Sequence, residues 1–448
     1  MAPLKRRNIS ESEAASVKGA GFSAHSEKTG REEARINHEE LLEFAVALAN
    51  RLQSCGAETY RVEDTITRII EAYGYKKVDV FVIPNCIIAG LETDEGDVET
   101  KVRRLKSSDT MLDGIEKYSA LCRKICDERP SVKQARRMLD ETDASVCHYG
   151  KFIYYLGAFL IGAGFGIFFG GGLLEMLSAG ISCTATAAAL SFMGRLNANA
   201  FFKSFVCSFI LAFIANLCGA AGICKNTDIA TIGALMILVP GFLFTNSMRD
   251  IIYGDTMSGV NRLVQVLIIA AALVFGTSAA VTLSRQFFTV SPTLSPIDHP
   301  LYIQCLAGMI GTLGFGLFFN MHGKGIPFAL IGSIISWFVC SICMRIGVSE
   351  PVSYLIAAAA SSFYAEILAR IRKFPATSYL LSALVPLIPG AGIYYTTEFI
   401  RLGMGADAWA KGVATAAIAG AVAVGVLLSS TMFRMWGVYT KSRLSKRR

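Results

Sequence analysis

From residue 152 to residue 433 the chain is a succession of apolar runs, each about 20 residues long, separated by short polar breaks. A run of that length, at about 1.5 Å per residue, spans the ~30 Å hydrocarbon core of a bilayer. Backbone amides and carbonyls in hydrocarbon must be bonded within the protein, so such runs fold as α-helices. The charge balance agrees: 17% of residues are ionisable and 53% hydrophobic, whereas soluble domains carry about 25% charged residues. The chain reads as an α-helical integral membrane protein with the lipid bilayer as its first partner.

Ten spans fit the pattern, at roughly 152–170, 173–193, 202–221, 228–246, 262–283, 301–319, 326–345, 352–371, 376–396 and 410–433. Ahead of them the composition differs. Residues 1–36 are rich in Ser, Glu, Lys and Gly and hold too little apolar surface to offset chain entropy, which predicts a disordered tail. Residues 37–150 predict a small α+β domain. Leu41, Ala45, Leu48 and Leu52 recur at helical spacing, as do Val62, Ile66, Ile69, Ile70 and Tyr73. VDVFVIPNCIIAGLE reads as two strands joined at Pro84-Asn85, and helical patterns return over 109–126 and 131–139. No cleavable leader is legible ahead of this region, and the expectation is that it lies on the cytoplasmic side.

The membrane part writes one motif twice. GFGIFF at 164–169 and GFGLFF at 314–319 are 150 positions apart, while LVPGFLF at 238–244 and LIPGAGI at 387–393 are 149 apart. Gly254 answers Gly403 and Arg262 answers Lys411 at that second offset. A duplication accounts for the shared offset. It gives a first repeat over 151–285 and a second over 286–435. Five spans per copy is an odd number, so the second copy would enter the membrane from the opposite side. The expectation is two inverted-topology repeats, an architecture of secondary transporters.

Basic residues orient the array. Arg195, Lys203, Arg249, Arg262, Lys324, Arg370, Arg372, Lys373 and the basic tail 436–448 fall on one side, against Lys225, Arg285, Arg345, Arg401 and Lys411 on the other. Both termini are therefore expected in the cytoplasm and the protein in the plasma membrane. The net charge of +8 serves this topology, and no nucleic-acid partner is expected.

Candidate functional residues follow from backbone chemistry. A Pro-Gly pair inside a span frees amides and carbonyls that a neighbour, water or ligand must satisfy. Pro240-Gly241 and Pro389-Gly390 occur at matching places, followed by Thr245, Asn246 and Ser247 in one copy and by Tyr394, Tyr395, Thr396 and Thr397 in the other. Unwound backbone with hydroxyls and amides suits a small zwitterion or carboxylate, its anionic group facing a half-helix N-terminus; the alternative is two packing kinks. Glu366 is a candidate for proton coupling, or a pair for Arg370 at i+4. Arg249, Asp250, Asp255 and Arg262 are candidates for a gate, or for solvated loop charges. Glu175 and Asp228 read as helix-dipole partners, and Asn216 as an interhelical hydrogen bond. The twelve cysteines show no paired metal spacing, so no metal, cofactor or catalytic residue is predicted. No HExxH, GxSxG or phosphate-binding loop is present, and the chain reads as a non-enzyme.

GAETYRVEDTITRI (56–69), the VFVIPN strand and above all LVPGFLFTNSMRDIIYGDTMSGVNRL (238–263) resemble the threonine/serine exporter family. IPFALIGSIISW and LVPLIPGAGIYY resemble its partner domain, a separate polypeptide in some relatives. The turn departs from the family pattern at Asn85, where Thr is expected. The resemblance implies an exporter of small hydroxy amino acids, threonine and serine, with five-plus-five spans; proton drive is the expectation because no nucleotide site is legible. A dicarboxylate such as succinate, associated with the two-subunit relatives, is the alternative cargo. A membrane-anchored regulator is the alternative of another class, and homo-oligomerisation is left open.

Overall fold

A computed structural model describes residues 38–93, 96–105, 110–196, 198–288, 295–323, 325–372 and 376–445. The predicted disordered tail lies outside the described residues. The chain divides into two compact units, residues 1–108 with 118–144 and residues 109–117 with 145–448.

In the first unit, helix α1 (38–54) and helix α2 (Thr59–Ala72) carry the two predicted apolar stripes, and Leu48, Leu52, Ile66, Ile69 and Ile70 are fully buried. Strands β1 (Lys77–Ile83) and β2 (Cys86–Glu92) pair antiparallel across the Pro84-Asn85 turn, with Ile83 opposite Cys86. A third strand, β3 (Val98–Arg104), pairs antiparallel with β2 at the sheet edge. Sequence reading omits it because VETKVRR is mostly exposed and has no buried alternation to report. Helices α3 (Leu112–Glu128) and α4 (Val132–Ser145) follow. Asp143 accepts hydrogen bonds from Arg51 Nε at 3.2 Å and from the Tyr118 hydroxyl at 2.7 Å, which ties α1, α3 and α4 together.

The second unit holds α5 (Lys151–Phe168), α6 (Leu173–Arg195), α7 (Ala200–Ala220), α8 (Thr227–Leu235), α9 (Gly241–Tyr253) and α10 (Thr256–Phe287). The second half of this unit holds α11 (Leu301–Phe318), α12 (Gly325–Arg345), α13 (Glu350–Arg372), α14 (Ala376–Ala383), a 3-10 turn (Val385–Leu387), α15 (Gly390–Arg401) and α16 (Gly405–Ser445). Among the described residues eight helices are long and apolar enough to cross a membrane: α5, α6, α7, α10, α11, α12, α13 and α16. The protein is a multi-pass membrane protein. The fourth and ninth runs of the sequence each fold as two shorter helices, α8 with α9 and α14 with α15, interrupted before Gly241 and Gly390.

The two similar hexapeptides pack against each other within this unit. A Cβ on Gly164 of α5 would lie 2.4 Å from Gly311 N and 2.8 Å from Ala307 O of α11. A Cβ on Gly314 would lie 2.5 Å from Ile161 N and 2.7 Å from Gly157 O. Shifted by the 150-residue offset, the two sets of contacts are the same set, and Phe165 packs edge-on against its own counterpart Phe315 at 6.1 Å. Such reciprocity is the signature of a local two-fold axis. The two helices are antiparallel. Tyr149, before α5, bonds through its amide to Asn320 Oδ1 at 2.9 Å and through its hydroxyl to Met321 O at 2.8 Å, both beyond the end of α11. At the other end, His299 and Ile297, before α11, bond the carbonyls of Gly171 and Gly170. Small residues at this seam allow backbone contact that any side chain would prevent.

Candidate substrate site

The Pro-Gly pairs build the same local structure twice. Pro240 has φ −78° and ψ 47°, Pro389 has φ −75° and ψ 47°, and neither N-cap offers a side-chain acceptor. Gly241 N donates to Val239 O at 2.8 Å, and Gly390 N donates to Ile388 O at 2.7 Å. Each is a tight three-residue turn around proline, which has no amide to lose.

The two breaks also touch each other. A Cβ on Gly241 would lie 1.8 Å from Ile388 Cγ2, and one on Gly390 would lie 2.6 Å from Met236 Sδ and 3.5 Å from Val239 Cγ1. At the 149-residue offset Gly241 corresponds to Gly390 and Val239 to Ile388, so these contacts too are reciprocal. The start of α9 and the start of α15 therefore approach within a buried cluster containing Met236, Val239, Phe242, Ile388, Ala391 and Tyr394. The opening amides of a helix have no intrahelical acceptor and carry the positive end of its dipole. The last carbonyls of α8 carry the negative end beside them. One small volume thus offers both signs of partial charge from backbone alone.

The predicted residues occupy distinct places around this crossing. Pro240, Gly241, Pro389 and Gly390 form it. Thr245, one turn along α9 from Gly241, is buried and its hydroxyl has no hydrogen-bond partner among the described residues. Tyr394 holds the corresponding position on α15 and is also buried. Asn246 is half-buried. Ser247 is committed elsewhere, its hydroxyl donating to Gly259 O at 2.8 Å to hold α9 against α10. Thr396 donates to Gly392 O at 2.7 Å, while Tyr395 is more exposed, with Lys411 Nζ 5.9 Å from its ring centroid. The side chain of Thr397 lies outside the described residues. Beside the crossing, α9, α10, α15 and α16 line an open groove of about 740 Å³ whose walls include Phe244, Met248, Val266, Thr396 and Trp409. Its lining is almost wholly apolar.

The charged candidates separate. Arg249, Asp250 and Arg262 are all buried, with Arg262 3.4 Å from Asp250. Asp255 instead caps α10, accepting from Ser258 N at 3.4 Å. Glu366 is half-buried on α13, and Arg370 donates to Phe433 O at 3.0 Å and stacks on that ring. Glu175 caps α6, accepting from the amides of Gly172, Lys225 and Asn226 at 2.9, 3.0 and 3.0 Å. Asn216 donates to Ala212 O within its own helix at 2.9 Å, so the expected interhelical bond is replaced by a local one.

Sequence reading passed over Glu398, which pairs with Arg401 (Arg401 Nε to Glu398 Oε2, 2.7 Å). Asp228 stands in the first turn of α8, whose N-cap is Asn226. The signal was available, since Glu398 occupies the position of Arg249 at the 149-residue offset.

Comparison with known proteins bears on the same segments. The sequence model of the threonine/serine exporter family matches residues 43–284, more than half the chain, and a second model, described as Threonine/Serine exporter, ThrE, matches residues 304–432. The chain belongs to the threonine/serine exporter family. Both Pro-Gly breaks fall within the matched regions. Among curated relatives, the threonine/serine exporter of Corynebacterium glutamicum is 24% identical over 410 residues, 88% of this chain and 82% of its own length. A Mycobacterium tuberculosis protein named as a probable threonine/serine exporter is 20% identical over 372 residues, covering 80% of this chain and 70% of the relative. No solved structure matches.

Proposed function

We propose that the protein is a secondary exporter of small hydroxy amino acids, threonine and serine, working by alternating access across the plasma membrane with both termini in the cytoplasm. The observation that carries the reading is the reciprocal meeting of two buried, uncapped half-helix starts at Gly241 and Gly390. A zwitterion needs donors for its carboxylate and acceptors for its ammonium. The opening amides of α9 and α15 are the proposed donors, the terminal carbonyls of α8 the proposed acceptors, and Thr245 with Tyr394 the partners for a side-chain hydroxyl. Relatives named as threonine/serine exporters support the cargo.

On this reading the unit is two inverted five-span repeats, the broken pairs α8–α9 and α14–α15 serving as the fourth and ninth crossings. The antiparallel, reciprocal packing of α5 on α11 supports it, because an axis that inverts one helix onto its copy lies in the membrane plane. Rocking of one repeat against the other about that axis would expose the crossing to each side in turn. A proton gradient is the proposed drive.

The test is efflux from proteoliposomes loaded in parallel with labelled threonine, serine and succinate, with and without an imposed proton gradient. Gradient-dependent efflux of the two amino acids is expected. Succinate efflux alone would reassign the cargo to a dicarboxylate, and absence of all three fluxes from correctly inserted protein would refute transport of these solutes.

A further inference from the structure

The groove beside the crossing is walled by both halves of the unit. Phe244 and Ile393, Val266 and Thr415, and Leu267 and Ala416 are pairs at the 149-residue offset, and all six line it. Helices α10 and α16 each pack on both α9 and α15, and the space left between them is the groove. Both are long and apolar enough to cross a membrane, and Leu267 on its wall is 61% exposed, so the groove is open to whatever surrounds those spans. The two hydroxyls of the lining are committed within their own helices, Thr396 to Gly392 O at 2.7 Å and Thr415 to Lys411 O at 2.6 Å. The walls therefore offer a polar solute no partner, whereas a hydrocarbon chain needs none. Left empty, they would lack the neighbouring atoms that dispersion attraction requires.

We propose that this groove is a binding site for one anionic phospholipid of the surrounding bilayer, its acyl chain lying along Leu267, Val413 and Ala416 and its headgroup held by Lys411. Length selects the chain. The α10 wall runs from Leu263 to Val274 and the α16 wall from Gly405 to Ala416. Each is about 16 Å long at helical rise, and one leaflet supplies ~15 Å of the hydrocarbon core. Charge selects the headgroup. Trp409 on the α16 wall is 77% exposed, and Lys411 Nζ lies 5.9 Å from the centroid of the Tyr395 ring. Among the described residues Lys411 makes no ion pair with Asp407 one turn earlier. Helical side chains lean toward the N-terminus, so Lys411 reaches toward the Gly405 end, and Trp, Tyr and Lys together mark the level of lipid headgroups. The inference is independent of the exporter reading, since it needs only that α10 and α16 cross the membrane.

The test uses the full chain in phosphatidylcholine vesicles containing a small fraction of phosphatidylglycerol with a photoactivatable acyl chain. After illumination, peptide mapping is expected to find the label concentrated in 263–274 and 405–416, ahead of comparably exposed residues on other spans such as Leu306 and Phe338. Label spread over all spans in proportion to exposure would overturn the site, and this arm needs only the wild-type chain. Native mass spectrometry from mild detergent is expected to retain one phospholipid, phosphatidylglycerol over phosphatidylcholine by about fivefold, the scale of one lysine beside an anionic headgroup. Ala271→Phe and Ala416→Phe fill the groove and are each expected to lower occupancy tenfold or more. Val264→Phe, exposed on α10 but outside the groove, leaves it unchanged. Lys411→Gln keeps the lipid and abolishes the headgroup preference. Lipid retained in full by both filled variants, an unaltered headgroup preference in Lys411→Gln, or a second copy of the chain retained in place of lipid would each overturn the assignment.

Discussion

Single residues in this chain are set by what their immediate neighbours can donate. In the first unit Cys122 and Cys126 face each other one turn apart on α3. The Cys122 thiol donates to Cys126, which holds Cys126 below the ordinary thiol range against the opposing effect of its burial, with Arg68 adding to the lowering. Cys122 moves the other way, raised first by being the donor and then by burial. Cys126 is half-buried where Cys122 is buried, so Cys126 is expected to be the more reactive thiol of the pair. Its alkylation by iodoacetamide, followed by mass spectrometry across pH, is expected to set in at lower pH than that of Cys122. Cys122→Ala removes the donor, and the onset for Cys126 is expected to move up. An unchanged onset would assign the lowering to Arg68 instead. Thr245 shows the opposite condition, a buried hydroxyl without a partner among the described residues. Such an atom in hydrocarbon costs about 1–3 kcal/mol unless something bonds it, and the proposed substrate is that something.

At the scale of elements, the broken helices are where sequence and energetics meet. A continuous helix would satisfy every backbone group within itself, so retaining two interrupted ones is costly in lipid unless the freed groups are used. Replacing Pro389-Gly390 by Ala-Ala is expected to abolish efflux while leaving the protein in the membrane. The checks are efflux per inserted molecule and membrane fractionation, and normal efflux from well-expressed protein would remove the break from the site. The crossing itself offers a finer test. Gly241→Ala places a methyl group 1.8 Å from Ile388 Cγ2, and overpacking of this kind costs about 1–3 kcal/mol. Ile388→Ala in the same chain vacates that space, so the double variant is expected to recover thermal stability and efflux lost in the single one.

For the whole molecule, the number of crossings decides the topology. Eight long apolar helices are present among the described residues, and the proposed ten crossings add the two broken pairs. The difference is measurable at the connection between α10 and α11. With five crossings before it this connection faces outward, and with four it faces the cytoplasm. Asp298 is exposed there, so Asp298→Cys is expected to react with a membrane-impermeant thiol reagent added outside intact cells. Reaction only after the inner face is opened would leave α8–α9 as a pair that does not cross, and the inverted-repeat reading would fall.

The apolar run lengths by themselves determined a membrane-embedded helical protein, because backbone polarity in hydrocarbon permits little else. Local pattern was equally sufficient for the β1–β2 hairpin and for the helices of the first unit. The 149- and 150-residue offsets announced a duplication, and the Pro-Gly pairs announced two breaks. What those offsets could not supply was contact. That Gly164 meets α11 while Gly314 meets α5, and that Gly241 rests on Ile388 while Gly390 rests near Val239, are facts of packing between residues about 150 positions apart in the chain. Periodicity within one helix reports which face is apolar and is silent on which partner covers it. For the same reason Ser247 and Asp255, polar and well placed in the sequence, proved to be engaged in holding α9 to α10 and in capping α10.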